Sequence, residues 1–319
     1  MGEQIEFPKN YSMYMSRVMT FLREGNVEKA IVYMQKAYAI KEAESLNILL
    51  ASSLLQTGQY REALELAEEK KEFYETDEKR LLIYLEILIE NNQILQAENY
   101  IKQALSNESI KYRDSWDRLA EKLDQLKHQQ EENKRKAEEQ TMKNLFSLAS
   151  LNTMEQFSKI QEIYTLPNDK LEGVAPYLFT NPYVHPVVRA TLFSLLAERN
   201  IDEDYKYLWF GETKEINPRK TTSIEMNETM TALMNVMDEE LVQNPSLYQL
   251  VKNEIDALFL MLYPFENNVI KKEEAKAWVE AVIASIEPDY LPSDTTELKD
   301  LENINNWISK THKQMLGFE

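Results

Sequence analysis

The chain has 319 residues, of which 43% are hydrophobic, and it carries a formal net charge of −18. A surface this negative repels phosphate groups, so we expect neither nucleic acid nor an anionic membrane surface as a partner. The chain has no cysteine, which excludes disulfides, thiolate metal sites and cysteine nucleophiles.

The apolar segments of the chain bear on its location. The first six residues contain acids and no apolar run, so they do not have the pattern of a signal peptide. The longest strongly apolar run, Leu258–Tyr263, is far too short to cross a bilayer. We therefore expect a soluble, cytoplasmic protein. The chain has only six glycines and ten prolines, which favours long helices.

A repeat of 33 to 34 residues runs through the first third of the chain. The segment Gly25–Ala30 recurs as Gly58–Ala63 and, less closely, as Asn92–Ala97. In each copy we expect a helix to end before the glycine or asparagine, which adopts the left-handed conformation at low cost. A second helix then begins with a large apolar residue that wedges between the paired helices, followed by an alanine that lets two backbones approach closely. The large residues are Val27, Tyr60 and Ile94, and the alanines are Ala30, Ala63 and Ala97.

This order and spacing resemble the tetratricopeptide-repeat (TPR) family over about residues 11–110. The resemblance implies antiparallel helix pairs stacked into a solenoid, in which the first helix of each pair lines a concave groove. It also implies that the protein binds other proteins or peptides. By phase, the residues that we expect to bind a partner in the groove are Met15, Met19, Leu22, Ile48, Ser52, Leu55, Leu82, Glu86 and Ile89.

The expected groove is mostly apolar, which suits the apolar face of an amphipathic helix. Methionine is adaptable and common on such surfaces. Some TPR domains hold the terminal carboxylate of a peptide with lysine and asparagine at groove positions. This chain has Met15, Ile48 and Leu82 there, so we do not expect that activity.

A long charged helix is predicted to follow the repeats, over residues 111–141. Tyr112–Gln140 contains no glycine or proline, and Trp116, Leu119, Leu123 and Leu126 form a short apolar seam. We favour a connecting helix over a coiled-coil or docking arm. Its apolar seam is the first candidate to fill the groove, followed by the same helix of a second copy in a homodimer, or by another protein. Alternatively, the curvature of the repeats buries the groove residues as core.

Residues 142–319 are predicted to form a second, α-rich domain. The alternating aromatics that begin at Tyr205 indicate a small β-hairpin near residues 205–224. Asn244 and Pro245 open one helix, and Asp294 and Glu297 have the spacing of a helix cap. The N-terminal repeats, the acidic composition and the segment Asn181–Leu192 together resemble a group of uncharacterised cytoplasmic TPR proteins of Gram-positive bacteria. The predicted fold is therefore mainly α, with about three TPR-type repeats over residues 1–110.

Candidate catalytic residues are few. His128, His185 and His312 lie in different segments, and no phosphate-binding loop, serine elbow or calcium loop occurs. The acidic cluster Asp202–Asp204 is interpreted as a solvated loop, so we expect no metal, no cofactor and no catalysis. A binding scaffold or adaptor is the leading hypothesis. A peptide-responsive regulator is the first alternative, and an enzyme in the C-terminal domain is the second.

Overall fold

The computed structural model describes residues 8–106, 110–287, 289–290 and 298–317. Residues 1–6, where no signal peptide is expected, and the predicted cap at Asp294 and Glu297 lie outside the described residues. The chain forms two compact units, Met1–Lys134 and Arg135–Glu319. The first unit contains these helices: α1 (Pro8–Arg23), α2 (Val27–Ile40), α3 (Glu44–Gln56), α4 (Tyr60–Glu68), α5 (Lys71–Glu75), α6 (Glu78–Glu90), α7 (Ile94–Leu105) and the start of α8 (Arg113–Phe146).

The same turn closes the first helix of each pair. Gly25, Gly58 and Asn92 have φ of 72°, 76° and 58°, which is the left-handed conformation predicted for them. The amide after each of these residues donates to a carbonyl five residues earlier, as in Asn26 N to Phe21 O at 2.8 Å; the equivalent bonds are Gln59 N to Leu54 O at 2.9 Å and Gln93 N to Leu88 O at 2.9 Å. Three identical turns therefore set three antiparallel helix pairs, and the predicted mainly α, TPR-type fold is confirmed.

Small residues allow the two helices of each pair to pack closely. Ala30, Ala63 and Ala97 are each fully buried, which allows the close helix contacts that the repeat predicts. Tyr60 differs from the predicted wedge because 38% of its surface is exposed. It is the first residue of α4, and its carbonyl accepts a hydrogen bond of 2.7 Å from the side chain of Asn91. Part of the residue is therefore accessible at the surface.

The second repeat has an extra short helix, α5, which the repeat pattern did not predict. Tyr74 on α5 is fully buried, and its hydroxyl donates to Asn47 Oδ1 at 2.8 Å. The Asn47 amide in turn donates to Tyr38 Oη at 2.9 Å and to Leu66 O at 2.8 Å. One buried asparagine on α3 thus connects α2, α4 and α5.

The long helix α8 begins against the third pair and then continues without a turn. Trp116, Leu119 and Leu123 are buried in the same core as the repeats. Residues 128–137 are all exposed, as expected for a solvated, mixed-charge segment. The helix ends at Phe146 rather than at the predicted residue 141.

After α8, the described part of the second unit contains seven α-helices and two strands. They are α9 (Thr153–Ile160), α10 (Asn168–Thr180), α11 (Pro186–Glu198), β1 (Tyr205–Trp209), β2 (Glu212–Ile216), α12 (Glu228–Glu240), α13 (Pro245–Leu262), α14 (Ala275–Ile286) and α15 (Leu298–Leu316). As predicted, Asn244 caps α13, since its side chain accepts from Leu247 N at 3.2 Å. The central helix is α11, where ten of thirteen residues are buried.

The predicted hairpin is present as β1 and β2, paired antiparallel with Trp209 opposite Glu212, but it ends at Ile216 rather than near residue 224. Phe210 and Gly211 connect the strands, and both have positive φ, as a tight two-residue hairpin turn requires. Tyr205, Tyr207 and Trp209 all point into the core because alternate residues of a strand share a face. The indole of Trp209 donates to Leu262 O at 2.9 Å, which ties the hairpin to the end of α13.

Candidate binding groove

The first helices of the three pairs, α1, α3 and α6, carry the nine residues predicted to bind a partner. Met19 is the most accessible apolar residue among them, with 48% of its surface exposed. Ile89 is only 2% exposed. The other seven are half-buried: Met15, Leu22, Ile48, Ser52, Leu55, Leu82 and Glu86.

On α1, Met15, Met19 and Leu22 share one face because they are spaced by four and three residues. Met15 and Leu22 pack against the repeat core, whereas Met19 extends outward from the same face. Ile48 and Leu55 repeat this half-buried arrangement on α3. The face of the first two repeats is therefore apolar and partly open.

A cavity of about 380 Å³ lies between the C-terminal ends of α3 and α6. It brings together three of the predicted residues, Ser52, Leu55 and Glu86. Four further residues complete the lining, and repeat phase did not predict them: Gln56, Tyr60, Ile83 and Glu90. The helical spacing of Ile83, Glu86 and Glu90 is the signal that could have placed them on one face.

Helix α8 lies along the far side of α6. The Trp116 indole donates to Glu78 Oε1 at 2.9 Å at the start of α6. Near the C-terminal end of α6, Lys122 Nζ of α8 lies 2.5 Å from Glu90 Oε1 and 3.7 Å from Glu86 Oε1. The chain's own following helix therefore packs on the third repeat.

Ile89 cannot contact a partner in this structure. Its side chain belongs to the core cluster that includes Leu119 and Leu123 of α8. Repeat phase placed it in the groove because that phase gives the side of the helix and not the depth of burial. Leu82 remains half-buried against the same core.

A second contact fixes α8 to α7. Glu98 accepts from Lys102 Nζ at 2.7 Å on its own helix and lies 2.8 Å from Lys127 Nζ of α8. These two ammonium groups lower the pKa of Glu98 to about 2. The carboxylate is therefore charged at neutral pH.

The histidines do not gather at one place. His128 is exposed on α8, and His185 caps the start of α11, where its Nδ1 accepts from Val187 N at 3.2 Å. His312 contacts Glu254, but neither residue lines the apolar cleft nearby that contains Leu260 and Met315. The described residues contain no group of three or more acids or histidines that could hold a metal ion.

The acidic cluster before the hairpin is held by neighbouring side chains. The Asn217 amide donates to Asp202 Oδ1 at 3.1 Å and to Asp204 Oδ1 at 3.0 Å. Arg219 Nη1 donates to Asp202 Oδ2 at 2.7 Å and lowers the pKa of that carboxyl. The cluster thus stabilises the loop.

Within the described part of the chain, none of the helices is both long enough and apolar enough to cross a membrane.

Comparison with known proteins gives one informative relative. The chain is similar to the TPR repeat-containing protein YsoA of Bacillus subtilis (strain 168), with 25% identity over 286 residues. The alignment covers 87% of this chain and 84% of the relative. No protein-family model and no solved structure matches the chain. The relative comes from a Gram-positive bacterium, in agreement with the resemblance seen in the sequence. The repeated left-handed turns and this similarity to a TPR repeat-containing protein both agree with the tetratricopeptide resemblance seen in the sequence.

Proposed function

We propose that the chain is a scaffold or adaptor that binds an apolar segment of a partner protein on α1, α3 and the cavity beside α6. The exposure of Met19 carries this proposal. It lies on the same face as two core-packed residues, yet 48% of its surface is exposed. An apolar face of this kind gains free energy when a partner covers it.

The partner that fits best is an amphipathic helix or short peptide from another protein. Helix α8 already covers the outer side of α6, so the open part of the groove is limited to the first two repeats and the cavity. Covering about half of a methionine side chain contributes about 1 kcal/mol. Several such contacts are therefore needed for useful affinity. We place this binding in the cytoplasm and propose no catalytic role.

The test is recovery of partner proteins with a matched pair of variants. Met19→Glu puts a charge into the proposed interface, whereas Val32→Glu puts one on α2, at a residue of nearly equal exposure, 47%. Partners identified by mass spectrometry with the unaltered protein should be lost with Met19→Glu and kept with Val32→Glu. Both variants should melt within a few degrees of the unaltered protein, because neither residue is buried.

Three results would count against the proposal. Equal recovery with both variants would show that α1 does not bind partners. A large drop in melting temperature for Met19→Glu alone would show that this face is structural. Recovery of only the chain itself, with a dimer mass in light scattering, would assign the groove to a second copy.

A further inference from the structure

We infer that the cavity between α3 and α6 is a pocket for one arginine or lysine side chain of the bound segment, so that the groove selects a basic amphipathic partner. This inference rests on the proposed function. It adds the chemistry that decides which apolar segment is accepted.

The walls of the cavity suit a long side chain with a charged end. Leu55 and Ile83 supply apolar surface on which the methylene groups of lysine or arginine can pack. Tyr60 lines the cavity and is 38% exposed, and an aromatic face attracts a cation within about 6 Å. The volume of about 380 Å³ accommodates such a side chain with space for water.

The charge of the cavity is negative. Two of its seven lining residues, Glu86 and Glu90, are acidic and none is basic. Lys122 of α8 is the ammonium group next to both carboxylates, so two negative charges share one positive charge. The remaining negative charge favours a cation from the partner.

The backbone adds to the same potential. Gln56 is the last residue of α3, and Glu90 is the last residue of α6. The C-terminal end of a helix carries partial negative charge from its aligned peptide dipoles. Two helix C-termini and two carboxylates therefore meet at one apolar cavity, and the net charge of −18 on the whole chain also attracts a basic partner.

The inference can be tested with single amino-acid probes on the full chain. The probes are the Nα-acetyl methylamides of arginine and of norleucine, which has a similar apolar stem and no charge. Methyl NMR of Leu55 and Ile83 reports binding at the cavity. We expect the arginine probe to shift both methyl signals and the norleucine probe to shift them much less.

Charge-neutralised variants provide the control. Glu86→Gln combined with Glu90→Gln should weaken arginine binding by about fivefold or more. Glu42→Gln combined with Glu44→Gln removes the same number of charges at exposed residues near the start of α3, and it should leave arginine binding unchanged. If the cavity double variant does not fold, Tyr60→Leu, which keeps both carboxylates, should also weaken arginine binding.

Equal shifts with both probes, or undiminished arginine binding after neutralisation, would overturn the inference. Met19→Glu separates this result from the proposed function, because it should abolish partner recovery and retain arginine binding. Loss of partners with Met19→Glu together with no arginine response would leave the scaffold function standing and reject the basic-residue pocket.

Discussion

At the scale of single residues, Asn47 shows how a buried polar group can hold a repeat together. Its fully buried side chain makes three hydrogen bonds, to Tyr38, Leu66 and Tyr74. Burial also raises the pKa of Tyr74 well above the usual range, so its hydroxyl stays protonated and donates. Buried polar groups of this kind contribute little to the free energy of unfolding while they are paired, but the loss of one partner lowers it considerably.

We expect Asn47→Leu to lower the free energy of unfolding by about 2 to 4 kcal/mol, because several buried polar atoms lose their partner. Tyr74→Phe removes one donor and should cost about 1 to 2 kcal/mol. Gln35→Leu, at an exposed residue of α2, is the control and should be nearly neutral. Urea unfolding followed by circular dichroism measures all three. A neutral Asn47→Leu would show that the network does not stabilise the repeat.

His185 gives the second unit a dependence on pH. Burial, together with the charge of Arg189, lowers its pKa to about 4, compared with about 6.5 in an unfolded chain. Between these values the unfolded state binds a proton that the folded state does not. Stability is therefore lost as the pH falls from about 6.5 towards 4.

The prediction is a loss of about 1 kcal/mol between pH 7 and pH 5.5 that is specific to His185. His185→Asn can still cap α11 and does not titrate, so it should lack this component. Urea unfolding of both proteins at the two pH values measures how the free energy of unfolding changes with pH. Subtracting one change from the other removes the contribution of all other titrating groups. The same pH dependence in both proteins would contradict the assignment.

At the scale of elements, the turn after the first helix of each pair determines the repeat. At Gly58 an added Cβ would meet nothing within 4 Å, so any effect of substitution comes from the backbone at φ 76°. Gly58→Ala should cost about 1 to 2 kcal/mol, the usual penalty for left-handed alanine. Gly58→Asn should cost less than Gly58→Ala, because asparagine already occupies the equivalent turn at residue 92. Thermal unfolding ranks the two, and the reverse order would contradict this account.

The same elements show how far sequence patterns reach. Gly25, Gly58 and Asn92 could be recognised because a turn depends on local conformation. Helix α5 could not, because Tyr74 is held by Asn47, a contact across 27 residues. In the predicted groove, repeat phase named Ser52, Leu55 and Glu86, which line the cavity between α3 and α6. It missed Tyr60, since the second helix of a pair supplies that residue, and it did not predict that Ile89 is buried in the repeat core.

At the scale of the whole molecule, the division into two units predicts that residues 1–134 fold alone, because repeats mainly contact their neighbours. Trp116 is the single tryptophan in this fragment, and it is 1% exposed. The fragment should be helical by circular dichroism, unfold cooperatively and show blue-shifted tryptophan emission. An unfolded fragment with solvent-exposed emission would show that the repeats depend on the second unit.

Helix α8 also constrains how the array can change in evolution. A fourth left-handed turn would fall near Leu126, 34 residues after Asn92, but α8 continues through that position as helix. Duplicating a unit upstream of Asn92 would add a helix pair and keep α8 as the terminal cap. A glycine at residue 126 would instead weaken the cap by about 1 kcal/mol, and the exposed residues 128–137 that follow offer no buried apolar face for a second helix of a pair. Internal duplication can therefore add repeats to this protein, whereas α8 opposes the addition of a repeat at the C-terminal end of the repeat array.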